Sequence, residues 1–235
     1  VFASNPQAHW WTDLLRGNLL LSLVYANPVV PALTLAAGAL VSLSRLEETG
    51  HRGHLALAAL QAAAVPFFKV FLGAHLLLGL GAAWMLARAA PRRSLALAGL
   101  GAALATAGLV LGQGGETVRV ELAPLDLAAL TRETLGLSPL SGLALAAWAS
   151  LWLALSLGLR LVGLPGAVRA LRGPAPGSAL AAMALSGWPL GLLFRVSAPE
   201  VLPGQKVVND AAYLVEQSGP LLWVFGWTTV PGTAC

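Results

Sequence analysis

The chain has 235 residues, of which 57% are hydrophobic and only 10% charged, and its mean hydropathy is +0.75. Soluble domains carry about 25% charged residues, so this composition lacks the polar surface needed to cover a water-soluble globule of this size. Lys and Arg outnumber Asp and Glu by 14 to 10, but the basic residues sit in short loops beside apolar runs, with no basic-aromatic stripe, which argues against nucleic-acid binding.

The single cysteine, Cys235, is the last residue, so no internal disulfide and no cysteine-based zinc site can form. No positively charged n-region precedes an apolar h-region after Val1, and the TTVPGTAC end follows directly on an apolar run. Both ends read as those of a piece of a longer chain.

Val1 to Asn27 is a mixed lead-in. Trp10 and Trp11 resemble an interfacial aromatic belt, Leu14 to Tyr25 fits an amphipathic surface helix, and His9 and Asp13 read as solvated interfacial residues. Asn27-Pro28 signals a turn, and residues 28–44 form an apolar run of marginal spanning length. The polar loop RLEETGHRGH, residues 45–54, closes it. His51 and His54 are three apart, but no carboxylate is placed to complete a ligand set, so no metal site is expected.

Leu55 to Ala87 is the longest apolar stretch, with Pro66, Lys69 and His75 near its middle. As one helix it would reach about 50 Å, far beyond a hydrocarbon core of about 30 Å. Pro66 removes an internal hydrogen bond and clashes with the preceding turn, which predicts two pieces, residues 55–65 and 66–87, the first short enough to be re-entrant. Lys69 then lies near the join. There it either snorkels to the interface or projects into a protein-lined cavity and holds an anion such as a phosphate. An ionisable group inside an apolar segment is a site candidate by default, and His75 is a second one. His75 follows six residues later, about 120° around the helix from Lys69, so a role in hydrogen bonding to a neighbouring helix is expected of it.

Arg88 to Arg93 (RAAPRR) is a basic turn without an acid, and marks the cytoplasmic side. Residues 94–112 form a Gly/Ala-rich span in which Gly99, Ala103, Ala107 and Gly101, Ala105 give small-xxx-small spacings for close helix packing. Residues 113–139 form a net-acidic loop with Glu116, Glu121, Asp126 and Glu133 against Arg119 and Arg132, expected on the outer side. Within it TVRVEL alternates like a strand and Asp126 to Leu135 fits a short helix.

Residues 140–164 form a span with Trp148 and Trp152 on one face, expected to pack or meet lipid. The loop 165–177 carries Arg169 and Arg172, with Arg160 just before it and no acid, and is expected on the cytoplasmic side. Residues 178–194 form the next span, which Gly187, Pro189 and Gly191 are expected to make flexible. A second outer loop, 195–220, holds Arg195 and Lys206 with Glu200, Asp210 and Glu216, and VVNDAAYLVEQ places Asp210, Tyr213 and Glu216 on helical spacing. The last apolar run, 221–230, is about half a span. The charge pattern leaves one point open: loop 45–54 is outside if Leu55 to Ala87 crosses once, and inside if its first piece belongs to a hairpin.

The expected fold is therefore all-α: a single polytopic membrane domain of about six apolar segments, one broken at Pro66, with two extramembrane loops, in a bacterial-type inner membrane. Asn27-Pro28 before a span, the apolar segment broken at Pro66 with Phe67, Phe68 and Lys69, the basic turn, the Gly/Ala-rich span and the outer loop VRVELAPL follow one another in an order that resembles the later part of C-type membrane glycosyltransferases. Asn209-Asp210 and Tyr213 before a terminal helix are also similar. The resemblance implies a polyprenyl-phosphate sugar donor and transfer on the outer face. It also implies that Lys69, Arg119 or Arg195 contacts donor phosphate. The carboxylate that usually serves as catalytic base in that family lies in the first outer loop, a region expected before Val1, so none of the residues present takes that role. The alternatives are a transporter or channel subunit, against which no internal repeat is visible, and a noncatalytic membrane scaffold. No cofactor is required, and no G-x-S-x-G, G-x-x-x-x-G-K or Cys/His cluster supports a soluble hydrolase, nucleotide or redox role.

Overall fold

A computed structural model describes residues 29–87, 92–112, 119–197 and 209–226. The lead-in with Trp10 and Trp11, the turn residue Arg88, Glu116, Glu200, Lys206 and Cys235 lie outside the described residues. The described part is mostly helical, with one two-stranded antiparallel ribbon.

Helix α1 spans Val29–Thr49, further than the apolar run, because its last turn is stabilised locally. Arg45 pairs with Glu48 at 2.8 Å, and the Thr49 hydroxyl donates to the Arg45 carbonyl. Gly50 ends it with φ +67 and donates its N–H to the Leu46 carbonyl, a left-handed stop that suits glycine. His51 caps α2, Arg52–Phe68, its Nδ1 accepting the Gly53 N–H at 3.2 Å.

Pro66 lies inside α2 and does not break it. The Lys69 N–H still reaches the Val65 carbonyl, and the break falls at Lys69, whose backbone is extended at φ −151. This corrects the expected division at Pro66 by one helical turn. The missing Pro66 N–H frees a carbonyl one turn back, and the disruption is taken up at the next unconstrained residue. Helix α3, Val70–Leu86, starts immediately after, and the Pro66 ring is seated on Gly73, where a Cβ would lie 2.7 Å from Pro66 Cγ.

The remaining elements are α4, Arg92–Gly112; β1, Arg119–Leu122; α5, Asp126–Thr134; α6, Gly142–Leu157, running through a 3-10 segment Gly158–Gly163 into α7, Leu164–Ala170; α8, Ala175–Leu193; β2, Phe194–Ser197; and α9, Ala212–Gly226. The strand expected in TVRVEL and the helix expected from Asp126 are both present. Residues 221–226 of the final apolar run form the second half of α9, which begins nine residues earlier at Ala212 and tolerates Pro220.

Contacts fix the directions. His75 meets Ser186, and Gly79 meets Ala179 and Met183, so α3 and α8 are antiparallel. Gly187 abuts Leu214, Gly191 abuts Ala211, and Ser218 bonds the Met183 carbonyl, so α9 is antiparallel to α8 and parallel to α3. Glu47, near the end of α1, lies close enough to the backbone at Ala175, where α8 begins, for that N–H to act on its carboxylate. Thus α1 ends, α2 begins, α3 ends and α8 begins at one end of the bundle. It follows that α2 and α3 are the arms of a helical hairpin with Lys69 at its tip. Each arm has 17 residues, or about 25 Å. The hairpin settles where 45–54 lies: at the same end as the turn at 171–174.

The core follows from small residues facing each other. Ala58, Ala62 and Val65 of α2, Leu72, Leu76, Leu80 and Ala83 of α3, and Ala179, Met183 and Ala184 of α8 form one buried cluster. In α4 the packing face is Leu95, Ala98, Gly101 and Ala102, with Gly101 against the Ala59 carbonyl. Gly99 faces open space, so only one of the two predicted small-residue rows is used. Gly187 and Gly191 let α8 close on α9.

The outward faces carry large apolar side chains, among them Leu60, Phe67, Met85, Leu104, Leu143, Leu151, Leu155 and Leu159. Two described helical stretches, Val30–Thr49 and Gly142–Ala170, are long and apolar enough to cross a membrane by length and composition, and α3 is a shorter apolar helix. Only 22% of the window in the second stretch is buried, so most of that stretch faces outward.

Candidate functional site

At the end opposite the turn at 171–174, the hairpin tip meets a polar layer made by the ribbon, α5 and the start of α9. The Lys69 Nζ lies 3.6 Å from the centre of the Tyr213 ring, and that ring is 5.4 Å from the Phe71 ring. A cation over an aromatic face is stabilised by the ring quadrupole, by about 0.5–2 kcal/mol depending on solvation. Glu216 and Asp210 both act electrostatically on the Lys69 ammonium. Residues 210, 213 and 216 recur at three-residue intervals, which places one acid on each side of the tyrosine along one face.

Asn209 organises this layer. It is fully buried and uses both ends of its amide. Its Oδ1 accepts the Val196 N–H at 3.1 Å and the Ala211 N–H at 3.0 Å, while its Nδ2 donates to Asp126 Oδ2 at 3.0 Å and the Phe194 carbonyl at 3.3 Å. The Asp210 N–H adds a bond to the Val196 carbonyl. One side chain thereby joins β2, the start of α5 and the turn into α9. Asp126 also faces Arg195, Nη1 to Oδ1 being 3.5 Å, both side chains partly exposed.

Two local features deliver these groups. Leu125, just before Asp126, adopts φ +65, a left-handed conformation that costs a bulky residue of order 1 kcal/mol. Its N–H bonds the Leu192 carbonyl at the end of α8, which holds the strained turn and aims α5. The ribbon pairs Glu121 with Arg195 and Arg119 with Ser197, so Arg195 stands beside α5 and Arg119 stands two pairs further out. Trp148 of α6 ties the layer from below, its Nε1 donating to the Ala128 carbonyl. Trp152 is buried in the same cluster, as a packing role requires.

Of the four residues singled out in the sequence, Lys69 and Arg195 are brought to the same 209–213 turn. Arg119 is exposed at the outer end of β1 and His75 is elsewhere. His75 is fully buried, with Nδ1 3.3 Å from Gln217 Oε1 on α9 and Nε2 3.1 Å from Ser186 Oγ on α8. It is the interhelical hydrogen-bonding residue its position predicted. The partners of Lys69 and the hub Asn209 were missed as a set; the only signal was Asn-Asp immediately before a helical 210, 213, 216 spacing. Among the described residues no group of three His, Cys, Asp or Glu side chains is disposed to hold a metal ion.

The chemistry available is that of fixed charges: two cations and three carboxylates interleaved with an aromatic pair, at the end of an apolar hairpin. Comparison with known proteins adds no relative: no protein-family model, curated protein or solved structure matches the chain.

Proposed function

We propose that the chain is an integral membrane helical bundle forming the lipid-donor part of a glycosyltransferase that uses a polyprenyl-phosphate sugar. The observation that carries the reading is the position of Lys69, at the tip of an apolar helix hairpin and in contact with the polar layer through Tyr213. A lipid-borne phosphate needs a cation at the boundary between apolar helices and a polar surface, and Lys69 binds such a group as a point charge. The aromatic and acidic neighbours keep the ammonium placed while no phosphate is bound. Arg195, facing Asp126, is the second cation of the layer.

The break favours this reading over a transporter. Discontinuous helices in transporters place their ends at the membrane midplane, whereas Lys69 lies at the end of the hairpin, against Tyr213 at the start of α9. The apolar outward faces support the membrane setting.

The test is sugar transfer from a polyprenyl-phosphate donor by the full-length protein in liposomes, comparing wild type with Lys69→Met. The expected result is a loss of about 100-fold, near 2.7 kcal/mol in the barrier, with the protein still folded by circular dichroism. Unchanged transfer removes Lys69 from the mechanism. Donor-independent substrate flux in the same liposomes would instead establish transport.

A further inference from the structure

Arg160 lies in the 3-10 segment between α6 and α7, half-buried against α9. A Cβ on Gly219 would lie 2.6 Å from its Nη1, so the guanidinium fills the place that a larger residue at 219 would take. Its depth follows from α8: Ser218 bonds the Met183 carbonyl, and Met183 is near the midpoint of Ala175–Leu193. The guanidinium is therefore level with the middle of the bundle. At 1.5 Å per residue it lies about 12 Å along the axis from Ala175, beside which Glu47 sits, and about 9 Å from Tyr213. Glu216 is nearer, three residues earlier on α9, but side chains lean toward the helix N-terminus, and this carboxylate acts on Lys69 and Tyr213. Neither acid acts on Arg160, and no described residue bonds its side chain.

The seam that holds it is short of acceptors. Trp152 belongs to the buried cluster with Val215, one turn of α9 before Gly219, so Trp152, Ser156 and Arg160 follow one another between α6 and α9. The Trp152 Nε1 and the Ser156 Oγ are both buried without a partner. Outside Arg160 the surface is apolar: Leu155, Leu159, Val162 and Trp223 are exposed around it. A charge at the middle of a bilayer is costly, and such groups pair with one another. Lipid headgroups are absent at that depth, so the counter-charge must be carried into the membrane by a spanning segment. A second copy of this chain does not supply it. The carboxylates on its described helices are Glu47 and Glu48 at the end of α1, Asp126 and Glu133 of α5, and Glu216, which acts on Lys69.

We propose that the face around Arg160 binds a transmembrane helix of another chain, one that carries an aspartate or glutamate near its middle to pair with the guanidinium. The inference rests on the membrane setting proposed above, but not on the sugar-transfer activity. The guanidinium donates two parallel N–H bonds to the carboxylate, and the apolar side of the incoming helix covers Leu155, Leu159, Val162 and Trp223.

The experiment reconstitutes the full-length protein, labelled with a donor fluorophore at Cys235, in liposomes with a synthetic Leu/Ala helix of about 21 residues that carries an acceptor fluorophore. The central residue of that helix is Asp, Asn, Leu or Lys, and energy transfer reads association. The Asp helix is expected to associate at least about tenfold more tightly than the Leu helix, with the Asn helix between them and the Lys helix no better than Leu. Moving the Asp two turns from the centre should remove most of the gain, because the guanidinium is at mid-depth. Arg160→Met should bring the Asp helix down to the level of the Leu helix, and Arg160→Lys should keep part of the gain. An Asp helix no better than the Leu helix, or equally good with Arg160→Met, overturns the proposal. So does tighter association with the Asp off-centre, at the level of Lys69, which would place the helix at the polar layer instead. Association of the protein with itself that depends on Arg160 would identify a second copy as the occupant, and also overturns it. If Arg160→Met does not fold, the wild-type series and the position of the Asp decide. Alkaline carbonate extraction reads the membrane setting separately: release of the protein overturns both readings, whereas retention without Asp-dependent association overturns this one alone.

Discussion

Replacing Asn209 tests whether the polar layer is held by one side chain. Asn209→Ala removes two acceptor bonds, from Val196 and Ala211, and two donor bonds, to Asp126 and Phe194. At about 1 kcal/mol for a neutral bond and 1.5–3 for one to a carboxylate, with two buried N–H groups orphaned, the loss is about 4 kcal/mol. Asn209→Asp is nearly isosteric and keeps both acceptor bonds, but turns the donor to Asp126 into a second carboxylate oxygen. At neutral pH it should therefore be about as unstable as the alanine variant. The two differ in acid. Repulsion in the folded aspartate variant makes its carboxylate pair bind a proton more readily than in the unfolded chain, so stability rises as pH falls and the pair takes up one proton. The shared O–H restores the lost donor. Unfolding in detergent followed from pH 7 to pH 4.5 should show recovery of Asn209→Asp relative to Asn209→Ala. Parallel pH profiles, or a neutral-pH Asn209→Asp as stable as wild type, would refute the role given to Asn209.

Three further outcomes follow from the packing. Gly187→Ala should destabilise by about 3 kcal/mol or prevent folding, because its Cβ would land on the Leu214 carbonyl and the Ser218 hydroxyl, whereas Gly99→Ala, in open space, should be neutral or stabilising by up to about 1 kcal/mol; melting of the two variants side by side decides it. Tyr213→Leu should cost about 1 kcal/mol through loss of the ring under Lys69, with Tyr213→Phe within about 0.5 kcal/mol of wild type in the same assay. His75→Leu should cost about 1–2 kcal/mol, since it strips Ser186 and Gln217 of their shared partner, and the cost should disappear in the background of Gln217→Leu and Ser186→Ala together.

Composition and charge were sufficient for the helical class, and local rules located the strand at Arg119, the helix at Asp126 and the hydrogen-bonding role of His75. What they could not deliver is pairing. The 45–54 loop was ambiguous because the sequence fixes how long α2 is but not whether α3 returns beside it. That depended on Glu47 finding Ala175, a contact across more than a hundred residues. The close approach at Gly187 and Gly191 is illegible for the same reason: a glycine in a helix costs stability when nothing faces it and permits close approach when a helix does, and only the facing α9 distinguishes the two.

The same limit explains why Lys69 looked anomalous. In the linear sequence it is a charge embedded in a membrane-length apolar run. In the fold the run doubles back, so the middle of the sequence segment becomes the end of the hairpin, and the ammonium meets Tyr213 and two acids supplied from residues far along the chain. Arg160 is the converse. Placed in the sequence beside a basic loop, it reads as an ordinary boundary residue, yet in the fold it lies against mid-helix Gly219 with no counter-charge among the described residues. The cost of a buried charge is set by its partners rather than by its place in a hydropathy profile.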